Sequence, residues 1–420
     1  MRMKPARFVA LVFAAFVGLA AEHAVAAERS LGRGPGRPDE PKARLAGWAL
    51  LRPGVRVLNE HSLRMMERAP ERSSTLVFER ASPGFGWIRA GTVVVAGVSD
   101  FAPEGLLRRV TRTWDYEGMV HAETEPATLE DVFWFARAAA TVPLAEARVA
   151  ASTVHREGAS VVAQGYEGGF SLGAFEVDLL DVVLYDVDGD PETVDDQVRV
   201  TGTVGIEPRF DLELDVSWAT VRRVSLTNTN ELYTSLVLDG QVEFASVDQE
   251  VTIATVRFAP ITVFLNGVPL VFTPVLEVKA GLSGQATGEV HSSVSAAVSL
   301  TAGVVYERGA WKGFSDLPDA LEDVDVQWEE PRVSLGAELE VRAGPKLSVL
   351  FYGLAGPFAG VEGYSAAAAR LLSQPAWTLD VGVRGSVGVE GTFPVIGDTA
   401  SYSIPLFDRR WRVAEGDLWP

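Results

Sequence analysis

Three groups of residues in this 420-residue chain have types and spacing that could do chemistry. The first is Asp186-Val187-Asp188-Gly189-Asp190, with Glu192, Asp195 and Asp196 close behind. Calcium takes six to eight oxygen ligands, and alternating aspartates in a tight loop aim several carboxylates at one centre. An EF-hand loop puts its glycine sixth and stands between two helices. Here the glycine is fourth and Pro191 sixth, so the loop is not an EF-hand. The plain alternative is a solvated, metal-free acidic turn between strands at Phe175–Tyr185 and Gln197–Ile206.

The second group, Gly169-Phe170-Ser171-Leu172-Gly173, matches the G-x-S-x-G pattern of a nucleophile elbow. That elbow needs a helix directly after the serine. Beyond Gly173, however, Phe175, Val177 and Leu179 alternate with Glu176 and Asp178, and this reads as a strand. Downstream of Ser171 there is one histidine, His291, to serve as a base. A glycine-flanked hairpin explains the pattern without catalysis. The third group is aromatic: Tyr306, Trp311, Phe314, Trp328 and Trp377. Flat indole and phenol faces suit sugar rings, and filling a core is the competing use. A carboxylate pair for glycoside hydrolysis is not identifiable, because 56 acidic residues supply too many pairs.

The elements around these residues follow a period of two. Phe210, Leu212, Leu214, Val216 and Trp218 alternate with Asp211, Glu213, Asp215 and Ser217. Val333, Leu335, Ala337, Leu339 and Val341 repeat the pattern, as do Leu379, Val381, Val383, Val387 and Val389. Such alternation puts one dry and one wet face on each strand. Antiparallel sheets stacked as a β-sandwich, or curled into a barrel-like domain, use strands of this kind. Turn residues at Asn228, Asp239-Gly240 and Asn266-Gly267 suit hairpins. The expected class is all-β, with a large antiparallel domain over 141–420. An outer-membrane barrel is disfavoured, because the strands lack regular aromatic girdles and Thr220 to Asn230 lacks a continuous apolar face.

Upstream, Arg2, Lys4 and Arg7 precede an apolar run from Phe8 to Ala21 and the small-x-small site Ala24-Val25-Ala26. Residues 1–26 therefore read as a secretory signal peptide. The Gly-, Pro- and Arg-rich stretch after it reads as a flexible leader over 27–72. Over 73–140 the pattern predicts a small β module of four or five strands. One helix closes it, starting at Thr128 with Asp131 in capping-box spacing and running through Val132 to Ala136. This module carries a resemblance. Gly91 to Gly97 (GTVVVAG), Pro103 to Val110 (PEGLLRRV) and Thr124 to Phe133 (TEPATLEDVF) resemble a module of exported bacterial β-rich proteins with no known activity. Phe351 to Tyr364 and Val268 to Val278 also resemble segments of those proteins. The resemblance implies an extracellular setting and no particular chemistry.

Composition narrows the function classes. With 37 basic and 56 acidic residues the net charge is -19, which repels phosphate backbones and argues against nucleic acid as a partner. The same charge argues against association with anionic membrane. The chain has no cysteine, which removes thiol catalysis, cysteine zinc sites and lipid acylation. Beyond the signal segment His61, His121, His155 and His291 are scattered, with no metal-ligand spacing. Together these features point to a periplasmic, cell-surface or extracellular binding or structural protein, non-catalytic and steadied by calcium. Its expected ligand belongs to the extracellular space or cell envelope, with carbohydrate suggested by the aromatic set. A hydrolase of polymer or ester and an apolar-ligand carrier are the alternative classes.

Overall fold

The computed structural model describes residues 44–66, 74–79, 88–143, 148–163, 175–190, 193, 196–316, 325–329, 332–333, 336–370, 373–393, 398–399 and 402–417. The fold is all-β and sandwich-like. Strand β1 (Arg44–Leu51) belongs to the large sheet. Then β2 (Val55–Val57), helix α1 (Glu60–Arg64), β3 (Thr75–Glu79), β4 (Val93–Ala96), β5 (Leu106–Tyr116) and β6 (Met119–Pro126) build the small module. A one-turn helix α2 (Leu129–Val132) returns the chain to the large sheet at β7 (Phe133–Pro143). There follow β8 (Val149–Val154), β9 (Ala159–Ala163), β10 (Phe175–Asp186), β11 (Gln197–Ser217), β12 (Thr220–Phe258), β13 (Ile261–Leu265) and β14 (Val268–Glu307). The chain continues through β15 (Ala310–Asp316), β16 (Asp325–Trp328), β17 (Arg332–Val333) and β18 (Glu338–Phe351). It finishes with β19 (Ala355–Ala369), β20 (Trp377–Phe393), β21 (Asp398–Thr399) and β22 (Tyr402–Gly416).

The spine is the antiparallel ladder between β12 and β14, which runs from Arg223↔Glu307 to Arg257↔Val275. At about 3.3 Å per residue its contour is ~115 Å. The register slips between Phe244 and Val247, and Val247 faces Gly284. Gly284 and nearby Gly288 take φ of +129° and +107°. A Cβ on Gly284 would lie 1.9 Å from the Glu338 carbonyl oxygen. A bulge set against glycines in that region bends both strands, and the sheet folds there into two layers.

One layer holds the first half of β12 and the second half of β14. On it sit β11, with β10 and β7 end to end beyond it and β9 and β1 outermost, and β15 and β16 on the β14 side. The other layer runs from β8 through the remaining halves of β12 and β14 to β18, β19, β20 and β22. The layers face each other: Val294 of β14 clusters with Ala367, Leu379 and Val381, and Gly313 of β15 lies against Leu406 and Val387. Among the described residues the sheet does not close into a barrel, since β1 pairs with β7 alone and β22 with β20 alone. No helix among them is long and apolar enough to cross a membrane.

Period two holds where it was strongest. Phe210, Leu212, Leu214 and Val216 are buried, while Asp211, Glu213 and Asp215 bond outward to Thr141, Arg223 and Arg137. Ala337, Leu339, Val341 and the apolar set of β20 are buried in the same way. Trp218 departs from the pattern, because it sits in the β11–β12 turn and is 56% exposed. Of the expected hairpin turns, Asn266-Gly267 is one, at φ +48° and +81°. Asn228 and Asp239-Gly240 instead lie inside β12, where ladders to β11 and β14 on both sides keep the chain extended.

The small module also differs from its expected limits. Its sheet has the order β2-β4-β5-β6-β3. Thus α1, β1 and β2 lie within 44–66, a stretch expected to be flexible leader, and pairing of β1 to β7 fixes it. The expected helix stops at Val132 after one turn, although Asp131 does accept the Thr128 N–H at 2.9 Å. Beyond it Phe133, Ala136, Ala138, Ala140 and Val142 are buried in strand register, with β1 and β11 on either side. Alanine tolerates both helix and strand, so the two waiting sheet edges decide. In β4, Val93 and Val95 join the main core while Val94 and Ala96 join the module's own. Burial on both faces accounts for the unbroken apolar run there.

Polar contacts join module and sandwich beside the apolar ones of Val93, Val95 and Leu107. Glu104, just before β5, accepts from the Arg257 guanidinium at 2.8 Å and from the Thr273 hydroxyl at 2.5 Å. Glu130 of α2 accepts the Val221 N–H at 2.8 Å beside the Trp218-Ala219 turn. Both residues of that turn have positive φ, +56° and +54°. Neither is glycine, so each costs about 1–2 kcal/mol, offset here by the Trp218 ring against Phe135 at 5.0 Å and the Ala219 N–H to the Trp134 carbonyl. Replacement of Glu104 by alanine is expected to lower unfolding free energy by about 1–3 kcal/mol in a denaturant titration, since it strands a buried Thr273 hydroxyl and one arginine. Ala219→Gly should raise the denaturation midpoint, by about 0.5–1 kcal/mol in stability, because glycine accepts the left-handed conformation freely.

Candidate functional site

The acidic loop lies where the sequence puts it. Asp186 pairs with Gln197 as the last rung of β10 and β11, so the residues between them form the hairpin connection. Period-two burial on both strands fixes that register, with Val177, Leu179, Val182, Val198 and Val200 all facing the core. Asp186, Asp188 and Asp196 converge, with one carboxylate oxygen of each within 4.8 Å of the others. Glu192 and Asp195 lie outside the described residues, as do Ser171 and its flanking glycines.

Local bonds orient the three carboxylates. Asp186 accepts the Gly189 N–H at 2.8 Å and the Gln197 amide at 3.0 Å. Asp188 accepts the Asp190 N–H at 2.8 Å and the Thr193 hydroxyl at 3.0 Å. Asp196 accepts the Asp188 N–H through Oδ2 at 3.2 Å, whereas its Oδ1 is buried with no hydrogen-bond partner. The Asp190 carbonyl points to the same loop interior, accepting from Thr193 at 2.8 Å and Gln197 at 3.3 Å. Among the described residues, none of the three aspartates forms an ion pair with lysine or arginine. The Asp190 N–H, with the Thr193 hydroxyl and other bonds, holds the Asp188 carboxyl below the usual carboxylate range. Three converging anions and one orphaned oxygen suit a hard divalent cation such as calcium.

The aromatic set does not assemble into one platform. Tyr306 and Trp311 face each other across β14 and β15, ring centroids 5.3 Å apart, and pack on the main core. Phe314 comes next on the same strand, where its ring fills the space above Gly303. Leu406 and Phe407 of β22 lie near that end, whereas Trp377 pairs with Gly416 at the other end of β22. About ten residues of strand separate the two ends, ~34 Å. Trp377 is instead joined by Trp328, 41% exposed, in a cleft of about 630 Å³ that also includes Arg412 and Glu415.

That cleft lies on the inward side of the sheet, where Trp377 packs with Leu379 and Val381, whereas Asp380 stands on the opposite face of β20. Arg412 also lines a second cleft of about 610 Å³ with Arg370, Arg410, Ser373, Gln374 and Asp380. Glu338, Ala368 and Arg410 are shared with a third, of about 410 Å³, reaching Ser246, Ser283 and Glu340. Asp380 is 3% exposed and holds both Arg410, at 2.7 Å, and Arg412. Its bond holds the Arg412 guanidinium above its ordinary value. Arg370 pairs with Glu338 at 2.9 Å. Farther along the same face burial pushes the Glu362 carboxyl up, with Glu250 adding repulsion against the pull of Arg342. The arginine cluster escaped the sequence reading, although Arg409-Arg410-Trp411-Arg412 stands out in so acidic a chain.

Comparison with protein-family models, with curated proteins and with solved structures finds no match to this chain.

Proposed function

We propose that this is an exported, non-catalytic binding protein of the cell surface or extracellular space, with its sandwich steadied by calcium at the 186–196 loop. The observation that carries the calcium reading is the buried Asp196 Oδ1, which lacks a partner while Asp186 and Asp188 converge on the same centre. A carboxylate oxygen taken from water without a partner costs free energy that a bound cation returns. Asp186, Asp188 and Asp196 hold the ion, and Thr193 orients Asp188. Extracellular calcium is abundant, so a site of modest affinity is filled there. The binding reading rests on the two clefts along β18 to β22 that share Glu338, Ala368 and Arg410 on one face of the sheet. The signal segment and the resemblance of the small module to exported proteins support the location.

Thermal melting of the mature protein with calcium and with excess chelator tests the ion. Saturation at a hundred times the dissociation constant is worth about 2.7 kcal/mol, or a rise of about 2–4 °C in Tm. Asp188→Ala should erase the response, and a chelator-insensitive parent protein would reduce the loop to a charged turn. The response should persist at pH 5, because Asp188 remains ionised below the usual carboxylate range.

A further inference from the structure

We propose that Gln197 is a positioning residue of the acidic loop, holding the Arg199 guanidinium off the aspartates so that their charge stays available to a divalent cation. This rests on the calcium reading of the 186–196 loop and adds to it the residue that keeps the site open.

A cation stands beside the converging carboxylates without pairing to them. Gln197 faces Asp186 across the last rung of β10 and β11, and Arg199 follows two residues later. Residues two apart leave the same face of a strand, so Gln197 and Arg199 lie side by side, with Val198 and Val200 turned to the core. The Gln197 amide separates the two charges. Its Oε1 accepts from Arg199 Nε at 3.0 Å and from Nη2 at 2.7 Å. Its Nε2 donates to Asp186 Oδ2 at 3.0 Å and to the Asp190 carbonyl at 3.3 Å. Guanidinium and carboxylate thus stand one amide group apart. Among the described residues Arg199 forms no ion pair.

Gln197 is fully buried, and a buried amide is tolerated only when its donors and acceptor are matched. The surrounding network fixes its orientation, with the oxygen toward the cation and the nitrogen toward the anion. Glutamate at 197 would hold Arg199 but repel Asp186, and lysine would itself neutralise Asp186. The uncharged amide satisfies both neighbours and changes the charge of neither.

The consequence concerns the ion. A guanidinium paired with a carboxylate makes two strong parallel bonds and occupies the lone pairs that a metal would use. The affinity of a calcium site follows the number of charges it offers, so one such pair would weaken this one. The other acidic side chain facing Arg199 is Asp239, its ladder partner on β12, and His291 Nδ1 already lies 2.6 Å from Asp239 Oδ1. Without the Gln197 amide, Asp186 is the nearest carboxylate left to receive Arg199.

Isothermal titration of the full mature chain with calcium chloride, after chelator stripping, tests this as a double-mutant cycle. Gln197→Met, which fills the same space without polar groups, should bind calcium about tenfold more weakly than the parent. Arg199→Gln should bind about threefold more tightly, because a neighbouring positive charge is gone. In the Gln197→Met background Arg199→Gln should restore parental affinity, whereas Arg199→Lys, which keeps the charge, should not. An amide that merely props the loop gives equal loss with either residue at 199, and that result overturns the proposal. So does parental affinity in Gln197→Met. If Gln197→Met does not fold, the half-buried Arg199→Gln decides alone, and no gain in calcium affinity overturns the proposal. A parent chain that binds no calcium brings down the calcium reading and this inference together, whereas calcium binding that ignores residues 197 and 199 leaves the calcium reading standing.

Discussion

The fold depends on one continuous ladder. β12 and β14 stay paired through both layers of the sandwich, so that every other strand of the large sheet is placed by reference to them. Backbone groups in a ladder of this kind are satisfied strand to strand, and the side chains then need one dry and one wet face. The bend that divides the layers is made by a bulge and glycines within this ladder rather than by a break in it. Consequently the two halves of each long strand pack against different neighbours: β11 shares the main core with Val383, Val387 and Val389 of β20, while Leu379 and Val381 of β20 join Val294 in a smaller cluster.

The ladder also places the sites. The acidic hairpin projects from β10 and β11, which lie on one flank of it, and the two linked clefts lie along β18 to β22 on the other. The small module is inserted between β1 and β7, two paired strands of the same sheet, and closes the core near β13 with Val93, Val95 and Leu107. Glu104 and Glu130, both contributed by the module side, meet strands β12 and β14 and the turn before them. Charges that line these clefts are half exposed, and each such pair is worth little alone, about 0–1 kcal/mol. Asp380 differs because it is buried and serves two arginines, so loss of it would leave Arg410 and Arg412 without their orienting partner.

The sequence was most legible where one residue pattern admits one structure. Phe210 to Val216 and Leu379 to Val389 alternate so regularly that no helix fits, and the connection after Asp186 is fixed by strands on both sides. Phe133 to Pro143 was illegible because its alanines accept either conformation, and the choice is made by β1 and β11, which lie about ninety and seventy residues away. Asn228 and Asp239-Gly240 read as turns by local preference but fall inside a ladder whose length no local window reveals. The tryptophans were visible as residue types; which of them meet depended on the course of β22. The arginines were missed because their partner, Asp380, stands about thirty residues earlier in the chain.

Amide hydrogen exchange on the full chain, resolved by residue, tests the ladder most directly. If β12 and β14 are the spine, their paired amides over 224–243 and 287–306 exchange last, through global unfolding alone, while β1, β9 and β22 at the sheet edges open earlier. Exchange of those ladder amides as fast as the edge strands would contradict the account, because the two layers would then be held by their own cores and not by a shared pair of strands.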